Sequence, residues 1–463
     1  MRRKGNPVFA TFVTRIIAVL FLSFWAGESL AYTLLDGNFE LKGFIRNITS
    51  VRTEEPNGGL GGDQFKKYDV GLTRTSLQVE GSYAINPDFR AYGRWRGSYD
   101  GTFDLKDSQT FPQAVEDENK VENEFRELYV DLRKGPLFLR LGKQQIVWGE
   151  SDGLRLADII NPLDLRAHYL LESWEDIRIG LPAIRSIYTV NPKLDLELVW
   201  VPVSFEPTKW AGQGMYWEIP GLGTGGVPEE EISTSLRNGS VGGKIRTIIG
   251  SGLEVSVYDY YHRDEMPHFK LGPTGLSLAH PYMNSIGGTF NTNVESLKTI
   301  FRGEAVYNIG EGQLDFTKPD FISKKNTIAL MLGADRPTYL PINSESSLLS
   351  FQVFYKKVLN TDETTRTFGD PNNTVPEMTV LTGYFNTSYP HVIPNGTLTP
   401  SLFVAYDVVG AWWVQPKVSV KYGDNWTVGL AYNGFAGKNN TRGFFNPVND
   451  RDEVYVDLKY SFQ

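Results

Sequence analysis

No cysteine occurs anywhere in the 463 residues. That excludes disulfide staples, thiolate metal centres and cysteine nucleophiles together. Histidine is nearly as scarce, with five residues. His168, His262, His268, His280 and His391 form no pair at the helical spacing a zinc helix uses. No G-x-S-x-G elbow is present either, so the chain is not read as an enzyme and no metal or cofactor is expected. Past the first thirty residues, no run approaches the roughly 18 consecutive apolar residues of a spanning helix. A mean hydropathy of −0.28 with 22% charged residues likewise excludes a helical membrane protein. With 41% hydrophobic and 13% aromatic residues, disorder is excluded too.

Positive charge is in deficit. Arg2, Arg3 and Lys4 open the chain, Arg15 precedes the apolar run 16–27, and small residues end at Ala31. That is the layout of a secretory signal peptide over 1–31, leaving a mature chain of 32–463. The leader holds four of the 46 Lys+Arg and one of the 54 Asp+Glu, which leaves 42 against 53, a net charge of −11. A nucleic-acid partner is therefore excluded.

What is present is a period of two. In 452–462, Val454, Val456, Leu458, Tyr460 and Phe462 alternate with Tyr455, Asp457, Lys459 and Ser461. In 88–100, Phe89, Ala91, Gly93, Trp95 and Gly97 alternate with Arg90, Tyr92, Arg94 and Arg96. Such segments run about 9–13 residues, the length a tilted strand needs to cross a bilayer. Short turns near Asn86-Pro87, Lys134-Gly135, Asn191-Pro192, Gly250-Ser251 and Asp424-Asn425 alternate with long polar connections near 101–123, 148–183, 205–237, 264–283 and 437–451. Short turns on one side and long loops on the other are what outer-membrane barrels show. Aromatics at strand ends, Trp200, Tyr258, Tyr260, Tyr261, Trp412 and Trp413 among them, read as interfacial girdles. The expected fold is all-β, one transmembrane antiparallel up-and-down β-barrel of about 18 strands. Sixteen is the alternative if 284–292, 326–335 or 377–388 are not strands.

One connection breaks the pattern. The stretch 142–166, GKQQIVWGESDGLRLADIINPLDLR, mixes apolar and charged residues, and HYLLESW follows at 168–174. Apolar residues on an outer loop need a cover. The reading is that 148–183 folds inward, with a short helix around 154–160 ended by Asn161-Pro162, and constricts the pore. A lid over the mouth, or contact with a second copy, is the alternative. Together with EDIRIGLPAIRSIY at 175–188 and NDRDEVYVDLKYSF at 449–462, the stretch resembles the signature of a Gram-negative outer-membrane barrel family, domain of unknown function 1302. That family lies near the alginate-export and fatty-acid-uptake barrels. The resemblance implies fold and outer-membrane location, and no substrate.

The candidate constriction is Trp148, Glu150, Asp152, Arg155, Asp158, Asp164 and Arg166, with Arg90, Arg94, Arg96 and Arg140 on the lumen wall. Trp148 with Glu150 and Asp152 could contact a solute, or these residues could tether the loop to the wall arginines. The wall arginines could draw anions, or Glu127, Asp131, Asp195, Glu197, Glu254 and Glu304 could neutralise them. The carboxylates Glu150, Asp152, Asp158 and Asp164 match no EF-hand spacing. The function expected is passage of a small apolar or amphipathic solute, with Trp148, Leu154, Leu156, Ile159 and Ile160 along the route. The alternative is a non-conducting outer-membrane piece of an envelope export or lipid-handling assembly. Partners would be outer-membrane lipid and lipopolysaccharide, an unidentified solute and a periplasmic protein.

Overall fold

Eighteen strands among the described residues close on themselves through antiparallel neighbours. The computed structural model describes residues 32–34, 38–55, 64–106, 110–167, 173–202, 205–341, 346–368, 373–437 and 448–462. Residues 1–31, the expected signal peptide, the glycine-rich stretch 58–63 and His168 lie outside them.

The first six strands are β1 (Phe39–Arg52), β2 (Val70–Asn86), β3 (Phe89–Asp100), β4 (Val121–Lys134), β5 (Leu137–Gln144) and β6 (Leu181–Asn191). Then come β7 (Leu194–Val201), β8 (Ser240–Ile249), β9 (Leu253–Arg263), β10 (Tyr282–Val294), β11 (Thr299–Asp315) and β12 (Ile322–Tyr339). The last six are β13 (Ser346–Val358), β14 (Glu377–Asn386), β15 (Gly396–Asp407), β16 (Ala411–Tyr422), β17 (Trp426–Ala436) and β18 (Glu453–Phe462). Each pairs with the next, and β18 returns to β1 with Phe462 opposite Gly43 and Glu453 opposite Arg52. All three segments on which the count of sixteen rested are strands, so the count is eighteen.

Alternation decides the two faces. Along β18, Val456 and Leu458 are exposed while Glu453 and Tyr455 are buried. Outward leucines, valines and aromatics such as Leu128, Leu198, Val257, Leu332, Phe351 and Leu430 form the surface a bilayer would cover. The buried alternate set faces the barrel interior. Glycine makes the tight turns: Gly135, Gly250 and Gly423 sit near φ +58°, where a Cβ is strained. Two aromatic assignments change. Tyr258, Tyr260 and Trp413 belong to the buried face, while their neighbours Tyr261 and Trp412 are exposed. The difference is one residue of register, which turns a side chain from lipid to interior.

A bulge at Arg126 of β4, opposite the Arg94–Trp95 step of β3, sets two successive residues, Arg126 and Glu127, both into the buried face. Three short α-helices lie in the connections: α1 (Thr102–Leu105), α2 (Gln113–Asn119) and α3 (Trp174–Ile177). The helix expected around 154–160 is absent, and the helical turn of that connection lies at α3 instead. The reason is visible in the hydrogen bonds: the Ala157 N–H donates to the Glu304 carboxylate at 2.8 Å, not to a carbonyl one turn back. At α3, Ser173 caps the first turn by accepting from the Asp176 N–H.

Candidate functional site

The connection from β5 to β6, residues 145–180, is fastened at its neck by Asn161. This fully buried amide accepts from the Ile146 N–H at 2.7 Å and donates to the carbonyls of Ile179 and Gln144 at 2.8 and 3.2 Å. One side chain thus ties the start of the segment to its end. Gly149 permits the fold-back, since a Cβ there would lie 2.8 Å from the Asp158 nitrogen.

Two sets of wall side chains take hold of the rest. On β11, the buried Glu304 carboxylate accepts from the main-chain N–H groups of Glu150, Ser151 and Ala157. Arg302, two residues along the same face, binds the Glu150 carbonyl and the Asp152 carboxylate, and Asp335 on β12 at 2.7 Å. Gln352 on β13 accepts from the Gly153 N–H at 3.2 Å, and Gly153 abuts Thr382 on β14. At the other end, Arg94 on β3 donates to Glu175 at 2.6 Å. Arg96 binds Asp176 and, at 2.7 and 2.9 Å, the Gln78 side chain. Arg46 on β1 lies 3.8 Å from Asp176 and is held by Asp457 through two bonds of 2.8 and 2.9 Å. The bulge-directed Arg126 donates to the carbonyls of Asp176 and Arg178 at 2.5 and 3.1 Å. Burial would raise the Asp176 carboxyl, but Arg96 and Arg46 outweigh it and hold it below the usual range.

The sequence-predicted residues divide. Trp148 is buried, donates to Glu197 at 3.1 Å and packs on Tyr258 and Tyr260 with ring centroids 5.2 and 5.9 Å away. Its indole is taken up in packing, with Ala157 and Ile160 in the same cluster. Leu154 packs against a second cluster, Ile159 against the first, and Leu156 against both. The Glu150 carboxylate accepts from Asn291 at 3.3 Å, and Asp152 points out, 72% exposed, beside Arg302. Arg155 and Arg178 both bind Asp158, at 3.2 and 2.6 Å. Asp164 and Arg166 form a two-bond pair at 2.8 and 2.7 Å near Arg126 and Glu122, away from the other five. Burial raises the Asp164 carboxyl, yet Arg166 and then Arg126 hold it far below its ordinary value. Each of the candidate acids therefore has its own cationic or amide partner.

Of the wall arginines, Arg94 and Arg96 meet the segment. Arg90 binds Ser82 at 2.7 Å, and Arg140 binds Asp131 at 2.7 and 2.9 Å and lies 3.7 Å from the Tyr129 ring centre. The partners are Glu175 and Asp176, not Glu150 or Asp152. Sequence reasoning missed those two, Arg302, Arg126 and the latch role of Glu304. The signal for Glu175 and Asp176 was present: an acidic pair in the first turn of a Ser-capped helix. It also missed a second connection. Residues Met215, Tyr216 and Trp217, in a stretch read as a polar loop, are buried with Phe65, Phe103, Phe111, Phe354, Trp413 and Phe435.

A closed eighteen-strand barrel whose walls grip one long connection from two sides is a porin-like architecture. The chain belongs to the family described as protein of unknown function, DUF1302, whose model matches residues 13–462. No curated protein matches it. Among solved structures it is similar to Acinetobacter baumannii OccAB1, with a TM-score of 0.53, 10% identity and coverage of 94% of this chain and 99% of that one. For Acinetobacter baumannii OccAB2 the TM-score is 0.52, with 9% identity and coverage of 93% and 99%. At such identities the likeness is one of fold.

Proposed function

We propose that this protein is a channel of the Gram-negative outer membrane for a small amphipathic solute. Segment 145–180 lies across the lumen and narrows it. The observation that carries the reading is the pair of anchors. Asp152 and Gly153 reach the interior face of β11 to β14, while Glu175 and Asp176 reach that of β1 to β3. A segment held by interior side chains of two separate stretches of wall spans what lies between them. Passage would be passive, with width and lumen charge as the selecting features.

The apolar side chains of the segment are largely engaged in packing, so its polar edge is what remains for a solute. A second reading has support of its own. The aromatic cluster around Trp217 and Trp413 sits at the long-loop end and favours a barrel shut at the mouth, serving a periplasmic partner without conducting.

The test is single-channel conductance in a planar bilayer, beside a variant with 151–183 replaced by a short Gly/Ser turn. A steady conductance that grows on replacement supports the channel. Silence from both proteins, each shown to be folded and inserted, sinks it and leaves the non-conducting reading.

A further inference from the structure

The grip of the wall on residues 150–153 is unfinished at four atoms. Arg302 on β11 binds the Glu150 carbonyl, the Asp152 carboxylate and Asp335 on β12, yet its Nε–H has no acceptor. The Asp335 oxygen that Arg302 does not take, Oδ1, has no donor. Gln352 on β13 is 2% exposed. Its Oε1 accepts from the Asp152 and Gly153 N–H groups at 3.4 and 3.2 Å, while its Nε2 is unmatched. The Ser151 hydroxyl is unmatched as well. Buried polar atoms are nearly always matched, so four around one turn of chain point to a group that completes them.

These atoms share one place. Arg302, Gly333 and Gln352 are successive cross-strand partners on β11, β12 and β13. Gly333 brings no side chain, and Gln352 leans over it: a Cβ there would lie 3.2 Å from Gln352 Cγ and 3.7 Å from its Cδ. The amide is thereby turned towards Arg302, and both side chains end on Asp152. On the open side the Asp152 side chain is 72% exposed. The Trp174 indole is fixed beside it, its Nε1–H donating to the Asp152 carbonyl at 2.7 Å.

This inventory selects a chemistry. Arg302 Nε–H and the Gln352 amide nitrogen only donate, Asp335 Oδ1 and the Asp152 carboxylate only accept, and the Ser151 hydroxyl does both. An ammonium leaves the two donors unmatched. An anion leaves the acceptors unmatched and meets three carboxylates, Glu150, Asp152 and Asp335, against the one arginine they surround. A hydroxyl accepts twice and donates once, which is what Gln352, Arg302 and Asp335 together lack.

We infer that Ser151, Asp152, Trp174, Arg302, Asp335 and Gln352 form a subsite for a neutral hydroxylated ring, a pyranose sugar. The inference rests on the channel reading and names its solute class. One hydroxyl enters beside Asp152, accepts from Gln352 and Arg302 and donates to Asp335. Neighbouring hydroxyls donate to the exposed Asp152 carboxylate, and the C–H side of the ring lies on the electron-rich indole face.

Isothermal titration calorimetry on the full chain tests this without requiring conduction, in a detergent that has no sugar headgroup. The probes are D-glucose and D-galactose, each beside its uronate and its amino sugar. At least one neutral sugar is expected to bind about tenfold more tightly than its uronate, and no more weakly than its amino sugar. Trp174→Leu should weaken that sugar about tenfold. Asp152→Asn keeps the shape and removes a charge, so it should narrow the gap to the uronate. Binding of neither neutral sugar overturns the site and leaves water to complete the contact. An amino sugar that binds more tightly than its parent overturns it too, because the carboxylates then recognise a cation. Sugar binding untouched by Trp174→Leu lies elsewhere, and the site is lost. A protein that conducts but binds neither sugar keeps the channel and loses the site. One that binds sugar but stays silent keeps the site and loses the channel.

Discussion

Two of the barrel's long connections differ in what mainly secures them. Residues 145–180 are held by charge: Arg94, Arg96, Arg126, Arg302 and Glu304 reach into the segment and bind its carboxylates and main chain. Residues 202–239 are held by burial of Met215, Tyr216 and Trp217 among aromatic rings. The edge-on contact of Trp217 with Phe435 has a centroid distance of 6.1 Å, and that of Tyr216 with Phe65 is 5.4 Å. Polar clamps are present there as well: Arg451 donates to the carbonyls of Tyr216 and Glu218 at 2.5 and 2.9 Å, Lys270 meets Glu230 at 2.8 Å, and Lys209 and Trp210 pair in parallel with Asp164 and Leu165 of the first connection. Directional bonds fix a segment at one place, because a shift of an ångström leaves buried charges unpaired. Apolar burial is non-directional and ties a segment to no single partner atom. The mouth strap is also flanked by Gly214, Gly221, Gly223 and Gly225, all at φ between +70° and +89°. On the proposed reading, the difference makes the first connection the fixed part and the second, with its glycines, the movable one.

The largest expected effect breaks the fixed side. Glu304→Ala leaves the N–H groups of Glu150, Ser151 and Ala157 without their acceptor. Each buried unmatched donor costs about 1–3 kcal/mol. Amide exchange of 150–157 should accelerate by orders of magnitude while that of 211–217 stays as it was. If both connections loosen together, the two are one unit and the contrast fails.

Somewhat smaller is the effect on the movable side. Trp217→Ala removes one of the two indoles of the mouth cluster, and truncating a buried tryptophan costs about 3–5 kcal/mol. Exchange should rise over 211–226 and leave 150–157 protected. Conductance, where present, should become larger or flicker less. A Trp217→Ala protein with unchanged exchange at 211–226 would show that the strap is secured by Arg451 instead.

How far the sequence tells these regions apart follows from the range of the forces involved. Strands were legible because each buries one face, so the signal repeats every second residue within a dozen positions. The turns were legible because φ near +58° selects glycine at Gly135, Gly250 and Gly423. The ion pairs were not. Arg94 and Glu175 are 81 residues apart and Arg302 and Asp152 are 150 apart. Nothing local to Glu150 says that its carboxylate meets an asparagine of β10 while the Asp152 carboxylate takes the β11 arginine. The strap was illegible for a different reason. Met215, Tyr216 and Trp217 are three successive residues in a glycine-rich loop, with no period at all, and their partner Trp413 alternates with an exposed Trp412 that masks it.

The smallest effect sharpens the comparison through pH. Glu265, in the connection after β9, faces Arg155 and Asp158 of the segment and its own neighbour Asp264. Burial pushes its carboxyl up to about 7, with Asp264 and Asp158 adding to the rise and Arg155 opposing it. Detached from the segment, the same group regains water and returns towards 4.5. Its contribution to holding the segment is therefore complete below about pH 4.5 and is lost as pH rises through about 7. Asp176 runs the other way, since its depressed carboxyl contributes above its ordinary value of 3.8 and fails only in stronger acid. Between pH 5 and 8, protection of amides 155–158, corrected for intrinsic exchange, should thus fall with rising pH. Glu265→Gln should remove that slope, because the amide cannot ionise. Among the described residues the aromatic cluster around Trp217 includes no carboxylate, so 211–217 should show no matching slope in either protein. A segment whose protection instead rises over this range would mean that the Arg155 attraction exceeds the burial and carboxylate repulsion at Glu265.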